Sequence, residues 1–194
     1  MDLKLLSWGL RPNRLPRLWL FTDSARLPNP RASIAALPRG KAGVVLRHDG
    51  DRGRLALGWD VARICRTRRL MLVVAGDARL AARLHAGVHL RGGYWPGPLR
   101  PRGLVSSSAH SVSDIRRARR AGASLVFLSP AFPTASHVDA LALGPLRWAA
   151  MARRGGAGSA IAALGGIDGR SVKRLPRDLC QAVGAIGALG TRSG

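Results

Sequence analysis

The chain has 194 residues, enough for one domain with a sizeable core. Its net charge is +22, from 32 basic residues against ten acids, and all but three of the basic residues are arginine. No apolar run reaches the roughly 18 residues that cross a bilayer, and the two cysteines, Cys65 and Cys180, have neither metal-ligand spacing nor the density of a disulfide scaffold.

A cytoplasmic location, no membrane partner and reduced thiols are therefore expected. The arginines are spread along the chain and form no block. Nucleic acid is not the expected partner, because no helix-turn-helix, zinc or aromatic RNA-binding signature accompanies them. Anionic partners such as phosphorylated metabolites would suit the charge, but the favoured reading is an arginine-for-lysine bias of composition, as a GC-rich genome produces.

Residues 1–17 carry Lys4, Arg11, Arg14 and Arg17 but no apolar targeting core. They read as a lead-in that covers the floor of the fold. Eight apolar runs follow in order: Leu18–Asp23, Gly43–His48, Leu70–Ala75, Gly87–Leu90, Leu104–Ala109, Ser124–Ser129, Ala160–Leu164 and Ala182–Ile186. They are continuous and do not alternate, which predicts strands buried on both faces. Helical spacing falls at Arg54–Arg66, at Ala78–His85, from Ser111 to Arg120, at Gly144–Arg154 with Leu146, Ala149 and Ala150 inward, and briefly at Ser171–Leu175. Ser111 and Asp114 have capping-box spacing, with Asp where Glu is usual. The Gly- and Pro-rich stretch 91–101 reads as a loop in place of a helix. This order predicts an α/β fold: a compact, parallel, eight-stranded (β/α)8 TIM barrel, with residues 1–17 as lead-in and 18–194 as a single domain. A doubly wound sheet is the alternative, weakened by the lack of GxGxxG after the first strand.

Three strand ends carry the chemistry: VSSSAHS (105–111), FLSPAFPT (127–134) and ALGGI (163–167). Small and hydroxylic residues there let backbone amides approach an anion at the mouth of a barrel.

With RRAGASLVFLSPAFPT (119–134) and AVGAIGAL (182–189), these motifs resemble the thiamine phosphate synthase superfamily, which includes the TenI-like thiazole tautomerases. The likeness runs from Leu18 to Leu189. It implies a thiazole phosphate as ligand, bound at Gly165, Gly166, Ile186 and Gly187, with Arg47, Ser108 and Thr134 as substrate contacts. His137, which stands where the family has a lysine, is a fourth implied substrate contact. His110 is the expected proton carrier; its other reading is a hydrogen bond to the next loop. Imidazole suits proton transfer near neutral pH. The family's self-association is a further expectation.

The resemblance also implies Mg2+ for coupling a pyrimidine diphosphate to the thiazole. The family places Asn-Asp after the third strand and another Asp after GVHL. Here Ala75-Gly76 and Arg91 stand at those places, so no metal ligand is assigned. No cofactor is expected unless the chain is a synthase with shifted ligands, for which Asp23, Asp49 and Asp77 are the candidates. The expected function is thus thiazole tautomerase-like; a synthase and a non-catalytic phosphate-binding protein are the alternatives. His48 could face the mouth, and Tyr94 with Trp95 could form a lid over a flat heterocycle, although the favoured reading of the chain's aromatics is core or interface.

Overall fold

In the computed structural model, which describes residues 1–10, 15–50, 52–134, 141–155 and 158–190, eight parallel strands form a closed barrel. They are β1 (Leu18–Phe21), β2 (Ala42–Leu46), β3 (Met71–Ala75), β4 (Gly87–Leu90), β5 (Val105–Ala109), β6 (Leu125–Leu128), β7 (Ala160–Leu164) and β8 (Ala182–Ala185). Closure comes from β8 pairing with β1, where Trp19 lies opposite Gly184. The helices are α1 (Leu3–Gly9), α2 (Arg31–Ala35), α3 (Arg54–Arg68), α4 (Ala78–Arg83), α5 (Val112–Arg120) and α6 (Gly144–Arg154). A 3-10 turn at Ser171–Arg174 takes the place of a helix after β7. No helix is long and apolar enough to cross a membrane among the described residues.

Two apolar layers build this shell. The outer layer packs the helices on the strands through residues such as Ile34, Val61, Ile115 and Trp148. The inner layer fills the barrel with Trp19, Phe21, Val45, Val73, Leu125 and Phe127. Strands of four or five residues leave room for three large rings only if their neighbours are small. Gly43 supplies that room beside Trp19: a Cβ there would lie 2.7 Å from Cδ2 of the indole. Gly184 does the same for Phe21. The Phe21 and Phe127 rings meet edge to face at 4.9 Å between centroids, a favoured aromatic geometry.

His89 completes this interior. Its ring packs edge-on against Phe21 and Phe127, and Nδ1 meets the Ser106 hydroxyl at 2.9 Å. Burial, reinforced by the positive Arg47 and Arg91, pushes its pKa down to about 3. The residue is a neutral core histidine.

One expectation changes and two features are added. The helix Gly144–Arg154 forms with the predicted bounds, but Trp148, Ala149 and Ala152 face inward, while Leu146 and Ala150 are exposed. The lead-in contains α1 and reaches both ends of the barrel: at the mouth Asp2 N–H donates to the Ala188 carbonyl and Asp2 accepts from Gly169 N–H at 2.7 Å, while at the floor Leu15 packs on the inner layer, as do Leu104 and Ala160 near the strand starts. Residues Arg31–Ala35 form α2, which no sequence signal announced. Cys65 and Cys180 are buried free thiols, and burial pushes both pKa values up to about 12.

The His89 environment fixes a pH response. Below 6.5 the unfolded chain takes up a proton at this position that the fold refuses until about 3. Stability therefore falls on acidification through that window, by about 2 kcal/mol at about pH 5. Urea unfolding at about pH 7 and about pH 5 should show that loss, and His89→Gln should lack it. Equal losses in both proteins would contradict the assignment.

Candidate functional site

The C-terminal strand ends divide into two halves of different chemistry. Those of β5 to β8, with the loops after β1 and β2, surround a cavity of about 950 Å3. Its glycines are set by local backbone demands. Gly165 and Gly166 both take positive φ, +89° and +63°, to turn the chain sharply off β7. A Cβ on Gly166 would lie 2.7 Å from that of Phe132, so this corner is both strained for other residues and tightly packed. Gly187 differs: its φ is not positive, and the nearest atom to an added Cβ is an Arg26 nitrogen at 3.9 Å. Among the described residues, no backbone hydrogen bond uses the amides of Gly165, Gly166, Ile186 or Gly187 as donors. Uncommitted amides at such a corner are what an anion needs.

Arg26 and Arg47 line the same cavity and add positive charge. Arg26 was not singled out by its sequence context. The turn that presents it is closed by Asp23, whose carboxylate accepts from the N–H groups of Ala25 and Arg26 at 3.1 and 2.9 Å. Two carboxylates, Asp2 and Asp168, also border the cavity. Both are committed to backbone donors. Asp168 accepts from Ser171 and Arg170, and these bonds, Ser171's foremost, hold its pKa below the usual carboxylate range. Burial acts to raise that of Asp2, yet bonds from Gly169, Leu5 and Lys4 hold it low as well.

His110 borders the cavity and is held from two sides. Its backbone N–H donates to Asp114 at 2.9 Å, while Asp114 N–H donates to Ser111 Oγ at 3.1 Å. Ser111 is thus the N-cap of α5, and the Asp114 carboxylate reaches back one residue past it, to the His110 amide and not to the amide of the cap itself, as a capping box would. On the ring, Nδ1 lies 2.9 Å from the Ser129 carbonyl oxygen. A carbonyl only accepts, so Nδ1 carries the proton and Nε2 is left as the lone-pair nitrogen. The expected loop contact is therefore present, and it leaves His110 able to act as a base.

The strand ends of β2, β3 and β4 carry a cluster of ion pairs. Arg54 reaches the Ala75 carbonyl at 2.6 Å, Asp49 at 3.3 Å and Asp77 at 3.8 Å. Arg91 pairs with Asp49 at 2.6 Å. Asp77 also caps α4 through Leu80 N–H, and Asp23 lies 3.8 Å from Arg47. Each of the three shifted-ligand candidates thus has a guanidinium partner. Gly76, at the place of the family's expected acid, has φ +65°, and a Cβ there would lie 2.9 Å from Nε of Arg91. A guanidinium fills the volume that a ligand side chain would use. These residues do not fit a divalent cation, and among the described residues no group of three or more His, Cys, Asp or Glu could hold one.

Of the other expected contacts, Thr134 lines the cavity and Ser108 does not. The Ser108 hydroxyl accepts from Gly92 N–H at 3.2 Å, and that of Ser107 from Gly93 N–H, so both hold the loop after β4. His137 lies outside the described residues. His48 is buried, with Nδ1 at 2.9 Å from the Thr22 hydroxyl. Tyr94 and Trp95 form no lid over the cavity: Trp95 donates to the Ala121 carbonyl at the end of α5, and Arg117 stacks on Tyr94.

The family model described as thiamine monophosphate synthase matches residues 20–189. A thiamine-phosphate synthase of Bacillus velezensis is 33% identical over 59% of this chain and 53% of its own length. The thiamine biosynthesis bifunctional protein ThiED of Geobacter sulfurreducens is 32% identical over 87% of this chain and 36% of its own length. The chain thus spans about half and about a third of these two relatives. A solved thiamine phosphate pyrophosphorylase from Pyrococcus furiosus superposes with a TM-score of 0.74 at 20% identity, covering 91% of this chain and 88% of its own.

The two glycine corners should respond differently to a methyl group. Gly166→Ala is expected to lower stability by about 1–3 kcal/mol, through its positive φ and its contact with Phe132. Gly187→Ala should change it by less than about 0.5 kcal/mol. Thermal melts of the two variants compare them directly; a reversed order would contradict the described corner.

Proposed function

Because the chain belongs to the thiamine monophosphate synthase family, we propose that its cavity binds a thiazole phosphate and that His110 moves a proton on the thiazole ring, a tautomerase-like isomerisation. One observation carries this reading: a lone-pair imidazole nitrogen and uncommitted glycine amides border the same cavity.

The phosphate dianion accepts from the amides of Gly165, Gly166 and Gly187, beside the Ile186 backbone. Arg26 adds a charge-assisted contact, and Thr134 and Arg47 border the rest of the ligand. Anchoring one end of a small rigid ligand fixes where its ring lies, which is the larger part of what a single proton transfer needs. Nε2 of His110 takes the proton from a ring carbon, and the imidazolium is stabilised by the Ser129 carbonyl on Nδ1. The same nitrogen returns the proton to the far end of the ligand's conjugated system, and the double bonds shift to match. The isomerisation conserves atoms and charge and needs no co-reactant. No step passes through a metal ion.

A second reading, coupling of the thiazole phosphate to a pyrimidine diphosphate with release of pyrophosphate, is supported by what the relatives are named. In that reaction Arg47, at the boundary between the two halves, would face the diphosphate.

The test supplies the carboxylated thiazole phosphate and follows the ring proton by NMR. His110→Ala should lower turnover by about 10²–10⁴ and leave affinity within about twofold. Gly187→Leu, which places a side chain in the cavity without backbone strain, should weaken binding at least about tenfold. Unchanged turnover in His110→Ala would remove the proton-transfer reading. Pyrophosphate release on adding the pyrimidine diphosphate, with no isomerisation, would establish the second; binding without either reaction would leave a binding protein.

A further inference from the structure

Spread along the sequence, the arginines are gathered by the fold. In a parallel barrel the strands end at the mouth and the helices between them end at the floor. Asp23, Asp49, Asp77, Asp114 and Asp168 all follow strand ends, so these acids lie at the mouth. The last turns of α5 and α6 lie at the floor and carry Arg119, Arg120, Arg153 and Arg154. Side chains tie these two helix ends into one corner. Arg116 donates to the Arg154 carbonyl at 3.4 Å, and Arg119 to the Gly155 carbonyl at 2.8 Å. The loop before β5 joins the same corner: Trp95 donates to the Ala121 carbonyl at 3.1 Å, and Arg100 stacks over its ring at 4.1 Å.

A cation in the last turn of a helix is ordinary, because it complements the carbonyl end of the dipole. The missing counter-charge is not. Asp114 is the one acid within α5 and α6, and it pairs with Arg117 near the mouth. Among the described residues, the arginines gathered at the corner form no ion pair, whereas Arg31, Arg47, Arg54 and Arg91 all do. A bias of composition sets how many arginines a chain has. It does not clear acids from the ground around one group of them. Like charges gathered this way repel one another until an anion relieves them.

We infer that the C-terminal ends of α5 and α6, with Arg100, form a docking face for single-stranded nucleic acid, held by its phosphates without preference for base sequence. A second copy of the chain would bring the same charge to this face and be repelled. Guanidinium forks pair with phosphate oxygens. Between the arginines, Gly122, Ser124 and Gly158 are exposed, and their small size lets a sugar–phosphate chain lie close. The plane of Arg100 on Trp95 offers a surface on which an unpaired base stacks. Backbone binding of this kind needs no helix-turn-helix or zinc motif. The face lies at the opposite end of the barrel from the cavity, and it stands whether or not the isomerisation reading does.

A fluorescein-labelled RNA of mixed sequence, about 20 nucleotides long, is the probe, followed by anisotropy with the full chain as KCl is raised. Affinity should fall steeply with salt, with a slope of about −2 or steeper in log K against log salt. The triple variant Arg120→Gln, Arg153→Gln, Arg154→Gln should weaken binding by about tenfold or more and make the slope shallower by about 2. Arg116 and Arg119 stay, because they tie the helix ends. The control removes the same charge from the α2–α4 side, at the exposed Arg39, Arg66 and Arg79, again as Gln; it should stay within about twofold of wild type. If the first triple variant melts lower than wild type, Arg120→Gln and Arg153→Gln made singly should each cost about 0.7 in slope. No binding, an affinity indifferent to salt, equal losses in the two triple variants, or unchanged slopes would overturn the inference. So would tighter binding, through the same arginines, to vesicles of phosphatidylserine and phosphatidylcholine than to the RNA.

Discussion

Eight strands of four or five residues enclose a cylinder that three aromatic rings nearly fill. Trp19, Phe21 and Phe127 interlock there, and Gly43 and Gly184 give up their side chains to admit them. His89 takes the remaining place and is kept neutral by burial. These side chains fill the interior, and the described cavity lies at the rim. There the backbone is released from the sheet, and its amides and the side chains beyond it are available. The position of the site follows from the filling of the core.

At the rim, charge sorts the two halves. Around β2 to β4, arginines and aspartates satisfy one another and occupy the ground where a hard cation would need oxygen. Around β7 and β8, glycines leave amides uncommitted, and the nearby carboxylates of Asp2 and Asp168 are tied to backbone N–H groups. A dianion thus meets donors without an unpaired acid beside them. The N-terminal helix contributes to this arrangement, because Asp2 both caps α1 and takes the Gly169 amide. His110 stands at the edge of the same half, with its ring orientation set by Ser129 and its backbone by Asp114.

Much of this was legible in the residues. Continuous apolar runs located all eight strands to within two residues at each end, because burial on both faces removes the ambiguity of alternation. The capping pair Ser111 and Asp114 marked the start of α5 for a local reason, and GGI at 165–167 marked a turn whose positive φ demands glycine. What stayed hidden depends on contacts between distant segments. The five-residue α2 is held by the ion pair of Arg31 with Asp60 of α3 and by its packing, which no local pattern encodes. The inward face of α6 was misjudged because Trp148, not Leu146, fits under the sheet, its indole donating to the Leu128 carbonyl. Ser108 read as a ligand contact from its strand end, yet it spends its hydroxyl on Gly92, which only the loop's return path reveals. Arg26 was one arginine among many, distinguished only when the turn closed by Asp23 set it against Gly187.

Amide ¹H–¹⁵N chemical shifts measured while thiazole phosphate is added, in EDTA, report most directly on whether the glycine half is the anion site. The account predicts that the largest displacements fall on Gly165, Gly166 and Gly187, with Gly76 and the residues around Arg91 nearly still. Displacements concentrated at the ends of β2 to β4, or none at the three glycines, would contradict it.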